Sequence, residues 1–277
     1  MLATTEAYGL TFEFPAHDEA VGAMLRDHGE FARPELDFLL DHAGTQTGAL
    51  LDIGANIGAI GLPFAAQRPA WQIVAVEAFG GLAEILKTNV RRNELENVVA
   101  LHAAAGDRRQ MVDFPHVELT ARGNYGNLGF SYPATDSRAV QMVTLDEIAP
   151  PNTRLVKVDV QGAEPSVLRG AARLRHAVRP VWLVEATKEW WNSALEVIEI
   201  LRSDSYDLYW FFSPHATPSS PRSRPTNPFR GDTGVVALPA GTPNRWNLTA
   251  VTDTGARPPV DIGAYPYLAR YAANRSG

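Results

Sequence analysis

Residues 49–58 of the chain read ALLDIGANIG, an apolar run that passes into a turn with two glycines. The apolar part has the length of a strand, and the residues after Gly58 become helical in pattern. Glycines at such a turn allow a ligand to approach the backbone closely, and a helix that follows offers free N–H groups. This segment therefore predicts a strand–turn–helix unit that binds a ligand at its turn.

Further apolar runs follow at intervals that suit alternating strands and helices. They cover residues 72–77, 98–104, 155–160 and 181–185, and helical stripes of apolar residues occur at 82–90, 167–174 and 191–198. Near-continuous apolar runs are typical of parallel strands that are covered on both faces. Two late runs, 207–212 and 234–238, predict a final antiparallel pair. The pattern as a whole predicts an α/β fold with a mostly parallel sheet.

The length of 277 residues fits one large domain or two small ones, and the continuity of the pattern favours a single domain. Residues 1–48 are expected to form an N-terminal helical cover, 49–238 the core and 239–277 an irregular C-terminal wrap. A stretch at 213–231 carries five prolines, which excludes a helix or a central strand there. It is either a mobile connection or a functional lid.

The composition excludes several kinds of function. The chain has no cysteine, so disulfides, cysteine-bound metals and thiol nucleophiles are ruled out. Its formal net charge is -6, which disfavours binding to the phosphate backbone of nucleic acids. The first residues lack the basic and apolar parts of a signal peptide, and no run of about 18 apolar residues predicts a membrane span. We expect a cytoplasmic protein that acts on a small molecule, and a homodimer is compatible with the sequence.

The turn does not match the common nucleotide motifs. A dinucleotide fingerprint that starts at Gly54 requires glycine at two positions where this chain has Asn56 and Ala59. Glu77 ends the next apolar run, and its carboxylate is suited to accept two ribose hydroxyls. Asp52 disfavours a pyrophosphate and favours a cationic ligand. S-adenosylmethionine fits, because it has a ribose, an amino group and a sulfonium but no phosphate.

A simpler interpretation of the same residues is that Gly54 and Gly58 only form a tight turn and that Glu77 is a solvated strand end. Three further blocks favour a binding site. They read VTLDE at 143–147, VKVDVQGAE at 156–164 and LRGA at 168–171. Together with the turn and Glu77, these blocks resemble the FkbM family of methyltransferases from about Leu50 to Glu185.

The resemblance implies a Rossmann-like class I methyltransferase fold, with a mostly parallel seven-stranded sheet, an antiparallel last strand and helices on both faces. It also implies S-adenosylmethionine as methyl donor and O-methylation of a sugar, a glycolipid or a secondary metabolite. Two positions depart from the family. Ala78 replaces a proline, which affects only a local turn. Gln161 replaces a glutamate, and a neutral amide cannot serve as a base or charge partner.

Donor binding is expected from a set of residues at the strand ends. In class I enzymes a polar residue after the third strand often contacts adenine, and Asp107 is the candidate here, with a plain turn as the alternative. The predicted cofactor-binding residues are Asp52, Gly54, Asn56, Gly58, Glu77, Ala78, Asp107 and Asp159.

Methyl transfer to an alcohol requires that donor and acceptor be aligned and that a proton be removed. Asp159 lies at the switch point of the sheet, where ligands bind in this fold, and its alternative role is to cap a helix. Glu185 ends the next strand, and His215 is a candidate base for the acceptor. Asp159 and Glu185 are also the candidate ligands for Mg²⁺, with a hydrogen-bonded strand end as the alternative. Residues 124–129 are interpreted as a lid or a hairpin loop.

Other functions remain as alternatives. One is a non-catalytic module that binds S-adenosylmethionine, and another is an N-methyltransferase acting on a small molecule or a nucleic acid. The sequence Asn227-Pro228-Phe229 resembles the motif of amino-methylating enzymes but lies in the wrong loop. A nicotinamide oxidoreductase is disfavoured by the glycine mismatch.

Overall fold

The structure, a computed structural model, describes residues 1–253 and 255–272. Its strands are β1 (Leu2–Ala7), β2 (Leu10–Pro15), β3 (Ala49–Ile53), β4 (Gln72–Glu77), β5 (Val98–His102), β6 (Ala104–Ala105), β7 (Gln110–His116), β8 (Asp136–Val143), β9 (Thr153–Val158), β10 (Val181–Glu185), β11 (Tyr206–Pro214), β12 (Gly231–Pro239) and β13 (Thr249–Ala250). Its α-helices are α1 (Val21–His28), α2 (Arg33–Ala43), α3 (Gly61–Gln67), α4 (Gly80–Arg92), α5 (Leu145–Ile148), α6 (Glu164–Arg169) and α7 (Trp191–Ser203).

The main sheet has the strand order β13-β11-β12-β10-β9-β3-β4-β5. Strands β5, β4, β3, β9 and β10 are parallel, and β12 lies antiparallel between β10 and β11. This arrangement confirms the predicted mostly parallel α/β sheet with an antiparallel last strand. The two-residue strand β13 adds an edge that the sequence pattern did not predict. The chain reverses its direction of progress across the sheet between β3 and β9, so ligands are expected at the carboxyl ends of these two strands.

The apolar runs form strands because both faces of the sheet are covered. All five residues of β3 are buried, and so are Trp71, Trp182 and Trp210. Around the sheet, α2 packs against α3, β9 and β11, α4 packs against β4 and β5, and α7 packs against α6 and β11. None of the described helices has the length and apolarity needed to cross a membrane.

The N-terminal segment differs from the predicted helical cover. Helices α1 and α2 are present, but residues 2–15 form the antiparallel hairpin β1–β2. Leu10, Phe12 and Phe14 alternate with less buried residues along β2, which is the period of a strand with one covered face. The hairpin packs on α4, where the Asn89 side chain bonds the backbone N–H and C=O of Glu13. The prediction of a helix-only cover was therefore wrong for this segment.

Two other segments lie outside the main sheet. Strands β7 and β8 form a hairpin that, with β6, makes a separate three-stranded sheet, and their connecting loop spans residues 117–135. The C-terminal wrap is held by buried tyrosines, among them Tyr267, whose hydroxyl bonds the backbone of Phe212. Residue 254 and residues 273–277 of the predicted wrap lie outside the described residues.

Candidate active site

A cleft of about 1090 Å³ lies over the carboxyl ends of the parallel strands. Its volume is at the upper end for a small-molecule site and leaves room for a donor and an acceptor together. Most of the predicted site residues line it, namely Asp52, Gly54, Asn56, Glu77, Ala78, Asp159, Glu185 and His215. Gly58 and Asp107 do not. The structure thus brings the donor-binding and catalytic candidates into one continuous space.

The glycine turn brings β3 and β9 together at the floor of the cleft. Gly54 has a φ of +75°, and a Cβ at this position would lie 1.7 Å from the carbonyl oxygen of Asp159. Any other residue would therefore separate the two strands. Gly58 has a φ of +93°, and its Cβ would lie 2.5 Å from Leu62. Its role is to let α3 pack closely, not to line the cleft.

Glu77 is held in place by the backbone and is not a solvated strand end. Its Oε2 accepts a hydrogen bond from the Asn56 N–H at 2.8 Å, and its Oε1 accepts one from the Phe79 N–H at 2.8 Å. Only 8% of the residue is exposed, and burial raises the pKa of Glu77 to about 7. Each carboxylate oxygen keeps a free lone pair, so the group can accept two further hydroxyl donors from within the cleft.

Asp52 lines the cleft and also makes two contacts within the protein. Its Oδ2 accepts a hydrogen bond from the Gly61 N–H at 3.0 Å, at the first residue of α3. Its Oδ1 lies 3.5 Å from the Nζ of Lys157, and burial raises the pKa of Asp52. The residue lines the cleft, but its nearest cation is this lysine. Asp52 therefore anchors α3 and balances Lys157.

Lys157 is a site residue that the sequence pattern did not identify. Its Nζ lies 3.4 Å from the Gly54 carbonyl oxygen and 3.6 Å from Asp159 Oδ2. Burial lowers the pKa of Lys157, but the carboxylates of Asp159 and Asp52 outweigh burial and hold that pKa above its ordinary value. The signal was available, because a lysine inside an apolar strand must have buried partners.

Asp159, Gln161 and Glu185 form a hydrogen-bonded cluster. The Gln161 Nε2 donates to Asp159 Oδ1 at 2.8 Å and lies 3.1 and 3.2 Å from the two oxygens of Glu185. Burial and the repulsion of Asp159 raise the pKa of Glu185 well above its ordinary value. The turn after β9 is bonded by Glu164, whose Oε1 accepts the N–H groups of Val160 and Gly162, so Asp159 does not act as the helix cap.

The pair predicted to bind Mg²⁺ does not fit a cation in this arrangement. The Gln161 N–H₂ group donates to both Asp159 and Glu185, and a donor nitrogen cannot ligate a metal. Among the described residues, no group of three or more histidine or acidic side chains is arranged to hold a metal ion. The arrangement fits the alternative, a hydrogen-bonded strand end.

His215 lies at the opposite side of the cleft and is oriented by a carboxylate. Its Nε2 is 2.8 Å from Asp232 Oδ2, and its ring packs beside Phe31 at 5.6 Å between centroids. Its Nδ1 is buried and has no hydrogen-bond partner among the described residues. Sequence reasoning missed Asp232 because strand pairing brings it to the histidine, with Ser213 of β11 opposite Asp232 of β12.

The predicted adenine contact from Asp107 is not supported. Its carboxylate pairs with Arg108 at 3.3 Å, outside the cleft. The cleft wall at this end is formed instead by Ala103, Ala104 and Ala105. This short apolar wall can pack against the flat face of a planar base. Apolar contact area stabilises such a face more than a charged group does.

The loop between β7 and β8 covers the cleft. Its residues 124–133 line the space, and a Cβ on Gly129 would lie 2.8 Å from the Gln161 side chain. The Tyr125 hydroxyl donates to the Ala121 carbonyl at 2.6 Å and holds the loop in shape. The segment is thus the loop of the β7–β8 hairpin, one of the two interpretations from the sequence, and it also lines the cleft, whereas its action as a lid stays a prediction.

The proline-rich connection between β11 and β12 also contributes to the cleft, through Asn227, Phe229 and Arg230. It is tied to the N-terminal region by Arg222, which donates to the carbonyl of Arg26 at 2.6 Å, and by Thr217, whose N–H bonds Glu30. This segment is therefore part of the site wall.

Comparisons with known proteins identify a family for most of this region. Residues 52–208 match the family described as the methyltransferase FkbM domain. No curated protein sequence matches the chain. Among solved structures, the FkbM methyltransferase from Methylobacillus flagellatus KT is similar at 17% identity, with 69% of this chain and 44% of that chain covered and a TM-score of 0.48. The match thus spans less than half of that protein.

Two further structures are similar in fold. A precorrin-6y C5,15-methyltransferase from Geobacter metallireducens GS-15 has 14% identity, with 74% of this chain and 87% of that chain covered and a TM-score of 0.48. A SAM-dependent methyltransferase from Aquifex aeolicus has 11% identity, with 78% and 92% covered and a TM-score of 0.41.

Proposed function

This chain belongs to the FkbM methyltransferase family, and we propose that it transfers a methyl group from S-adenosylmethionine to a hydroxyl of a small molecule such as a sugar, a glycoside or a secondary metabolite. The observation that carries the proposal is the placement of Glu77. Its two oxygens are fixed by backbone N–H groups at one end of a cleft whose other end holds a histidine–aspartate pair.

The donor end of the cleft fits an adenosine. Glu77 accepts the two ribose hydroxyls, and the apolar wall at 103–105 contacts the base. Gly54 lets β3 and β9 approach each other closely at the floor, where the donor crosses from one strand to the other. When bound, S-adenosylmethionine supplies a methyl group on a positively charged sulfur, and Asp159 at the floor adds a negative charge nearby.

The acceptor end fits an alcohol. Transfer forms a bond between the methyl carbon and the acceptor oxygen and breaks the bond between that carbon and sulfur, and the hydroxyl proton must leave. The His215–Asp232 pair takes up this proton, since the two side chains line the cleft 2.8 Å apart and the aspartate stabilises the resulting imidazolium. Asp159 and the Gln161 amide orient the acceptor from the other side.

We also propose that the protein is cytoplasmic and that its acceptor is a small molecule and not a nucleic acid. The net charge of -6 and the carboxylates in the cleft support a small-molecule acceptor, because both repel the phosphate backbone of a nucleic acid. The proposal also needs no metal ion, since the chain places an amide between the two strand-end carboxylates.

Two measurements test the function. Calorimetry with S-adenosylhomocysteine and with NAD tests the donor site, and we expect binding of the first only. A radiolabelled donor is then supplied with sugars, glycosylated metabolites and small hydroxy acids, with magnesium or with EDTA. Labelled product that survives EDTA is the expected result. Binding of S-adenosylhomocysteine without transfer to any acceptor would favour a non-catalytic module, and no binding at all would overturn the proposal.

A further inference from the structure

The mouth of the cleft carries an unusual share of exposed apolar side chains. Eight large apolar side chains are exposed among the described residues, and four of them line the cleft. These four, which we term the apolar collar, are Phe130, Tyr132, Phe229 and Val260. About a fifth of the described residues line the cleft. If exposed apolar side chains were spread evenly over these residues, about a fifth of them would line the cleft, whereas half of the eight do.

The collar comes from three segments outside the parallel sheet. Phe130 and Tyr132 belong to the loop between β7 and β8, Phe229 to the connection between β11 and β12, and Val260 to the segment after β13. Phe130 rests edge-on against the buried Phe114, with 5.2 Å between centroids, so its ring is supported from beneath. Single exposed apolar residues need no explanation, but a cluster around one opening marks a binding surface.

The floor beneath the collar is polar. Asp159, Gln161, Glu185 and His215 line the same cleft and are only partly exposed, whereas the four collar residues are exposed. A molecule that fills the acceptor end therefore meets hydrogen-bonding groups below and apolar surface above. A free sugar fits this poorly, because hydroxyls on its outer side would lose water against Phe130 and Phe229 without gaining a partner.

From this division we infer that the methyl acceptor is a hydroxylated molecule with an apolar or aromatic body, such as an aryl glycoside. Its reacting hydroxyl points to the polar floor of the cleft, and its apolar body contacts the collar. The inference rests on the proposed function, because it takes the occupant of the collar to be the acceptor. It goes further by naming the part of the acceptor that these side chains recognise.

The test uses a matched pair of ligands, phenyl β-D-glucopyranoside and methyl β-D-glucopyranoside, which share all their hydroxyls. Each is titrated into the protein saturated with S-adenosylhomocysteine, in competition with the fluorescent probe 1-anilinonaphthalene-8-sulfonate. We expect the phenyl glycoside to displace the probe at a concentration about tenfold or more below that of the methyl glycoside, as burial of a ring predicts.

Variants then locate the effect. The double variant Phe130→Ser and Phe229→Ser should weaken probe binding and remove most of the preference for the phenyl glycoside. Met111→Ser is the control, because Met111 is 60% exposed but lies outside the cleft, and it should behave as the unchanged protein. Thermal unfolding midpoints and the affinity for S-adenosylhomocysteine are measured in every variant, because Phe130 lies in the loop over the cleft and packs on Phe114. The ratio of the two glycoside potencies is compared within each variant, so a change in donor affinity affects both ligands equally.

Equal potency of the two glycosides would overturn the inference, and so would failure of the phenyl glycoside to displace the probe or an equal loss in Met111→Ser. If S-adenosylhomocysteine still binds normally, any of these outcomes would leave the proposed methyltransferase function standing. Loss of S-adenosylhomocysteine binding in the unchanged protein would instead refute that function itself.

Discussion

Asp52 and Lys157 stand directly opposite each other on β3 and β9, with 3.5 Å between Oδ1 and Nζ. Both side chains are almost fully buried, and each approaches a different part of the site. Asp52 fixes the first N–H of α3, and Lys157 reaches the Gly54 carbonyl and Asp159. One buried ion pair therefore joins the glycine turn, the following helix and the floor of the cleft.

Lys157→Met should destabilise the protein by about 3 to 5 kcal/mol, because it leaves a buried carboxylate without its cation. The loss should be larger at pH 8 than at pH 5. Burial raises the pKa of Asp52 and Lys157 lowers it, so removing the lysine raises that pKa further, and protonation of the carboxyl at low pH relieves part of the loss. Urea unfolding at the two pH values measures both effects. The double variant with Asp52→Asn should recover part of the loss, and an additive loss would contradict the pairing.

Glu77→Ala should weaken binding of S-adenosylhomocysteine by about 1 to 3 kcal/mol, the usual cost of losing hydrogen bonds to a charged group. Glu84→Ala is the matched control, because Glu84 lies on α4 outside the cleft and its side chain is 67% exposed. Calorimetry gives both dissociation constants. An unchanged affinity in Glu77→Ala would remove the ribose assignment.

The affinity for S-adenosylhomocysteine should rise between pH 6 and pH 8. Burial raises the pKa of Glu77 to about 7, so a rising pH converts the carboxyl to the carboxylate that accepts both hydroxyls. The same raised pKa means that this group contributes less to folding stability as the pH rises from about 4.5 to 7. Calorimetric titrations at three pH values test the first effect. Glu77→Gln should flatten the profile, and an equally steep profile in that variant would assign it to another group.

His215→Gln should lower the turnover number by about 10² to 10⁴ and leave donor binding unchanged, because the side chain acts on the acceptor proton. Asp232→Asn should give a smaller loss, since it keeps a hydrogen-bonding partner for Nε2 but removes the charge. His176→Gln is the control, because His176 is 59% exposed and lies outside the cleft. Initial rates with labelled donor measure these effects. Full activity of His215→Gln would assign proton removal to another group.

The fold and the positions of Gly54 and Glu77 could be predicted because they depend on local patterns, whereas the placement of Gly58 and Asp107 outside the cleft could not. The apolar runs, the turn at Gly54 and the carboxylate of Glu77 are each visible within a few residues. At the acceptor end, His215 was a candidate from the sequence but Asp232 was not, because pairing of β11 with β12 brings Asp232 to His215 across a connection without regular structure. The hairpin at residues 2–15 has only a weak signal in the sequence, the single glycine of its turn, Gly9. In the structure Tyr8 and Gly9 both have positive φ in this turn.

The Gln161 amide donates to both strand-end carboxylates. Gln161→Glu would place a third carboxylate beside Asp159 and Glu185, where Gln161 now donates to both. In the absence of an added metal cation, repulsion among the three carboxylates should lower the thermal unfolding midpoint of the variant. Mn²⁺ should restore the midpoint, because three carboxylates are a suitable ligand set for a divalent cation. Gln67→Glu makes the same charge change on α3 outside the cleft and should not respond to Mn²⁺. A variant at position 161 that is as stable as the unchanged protein and indifferent to Mn²⁺ would show that this amide does not separate the two carboxylates.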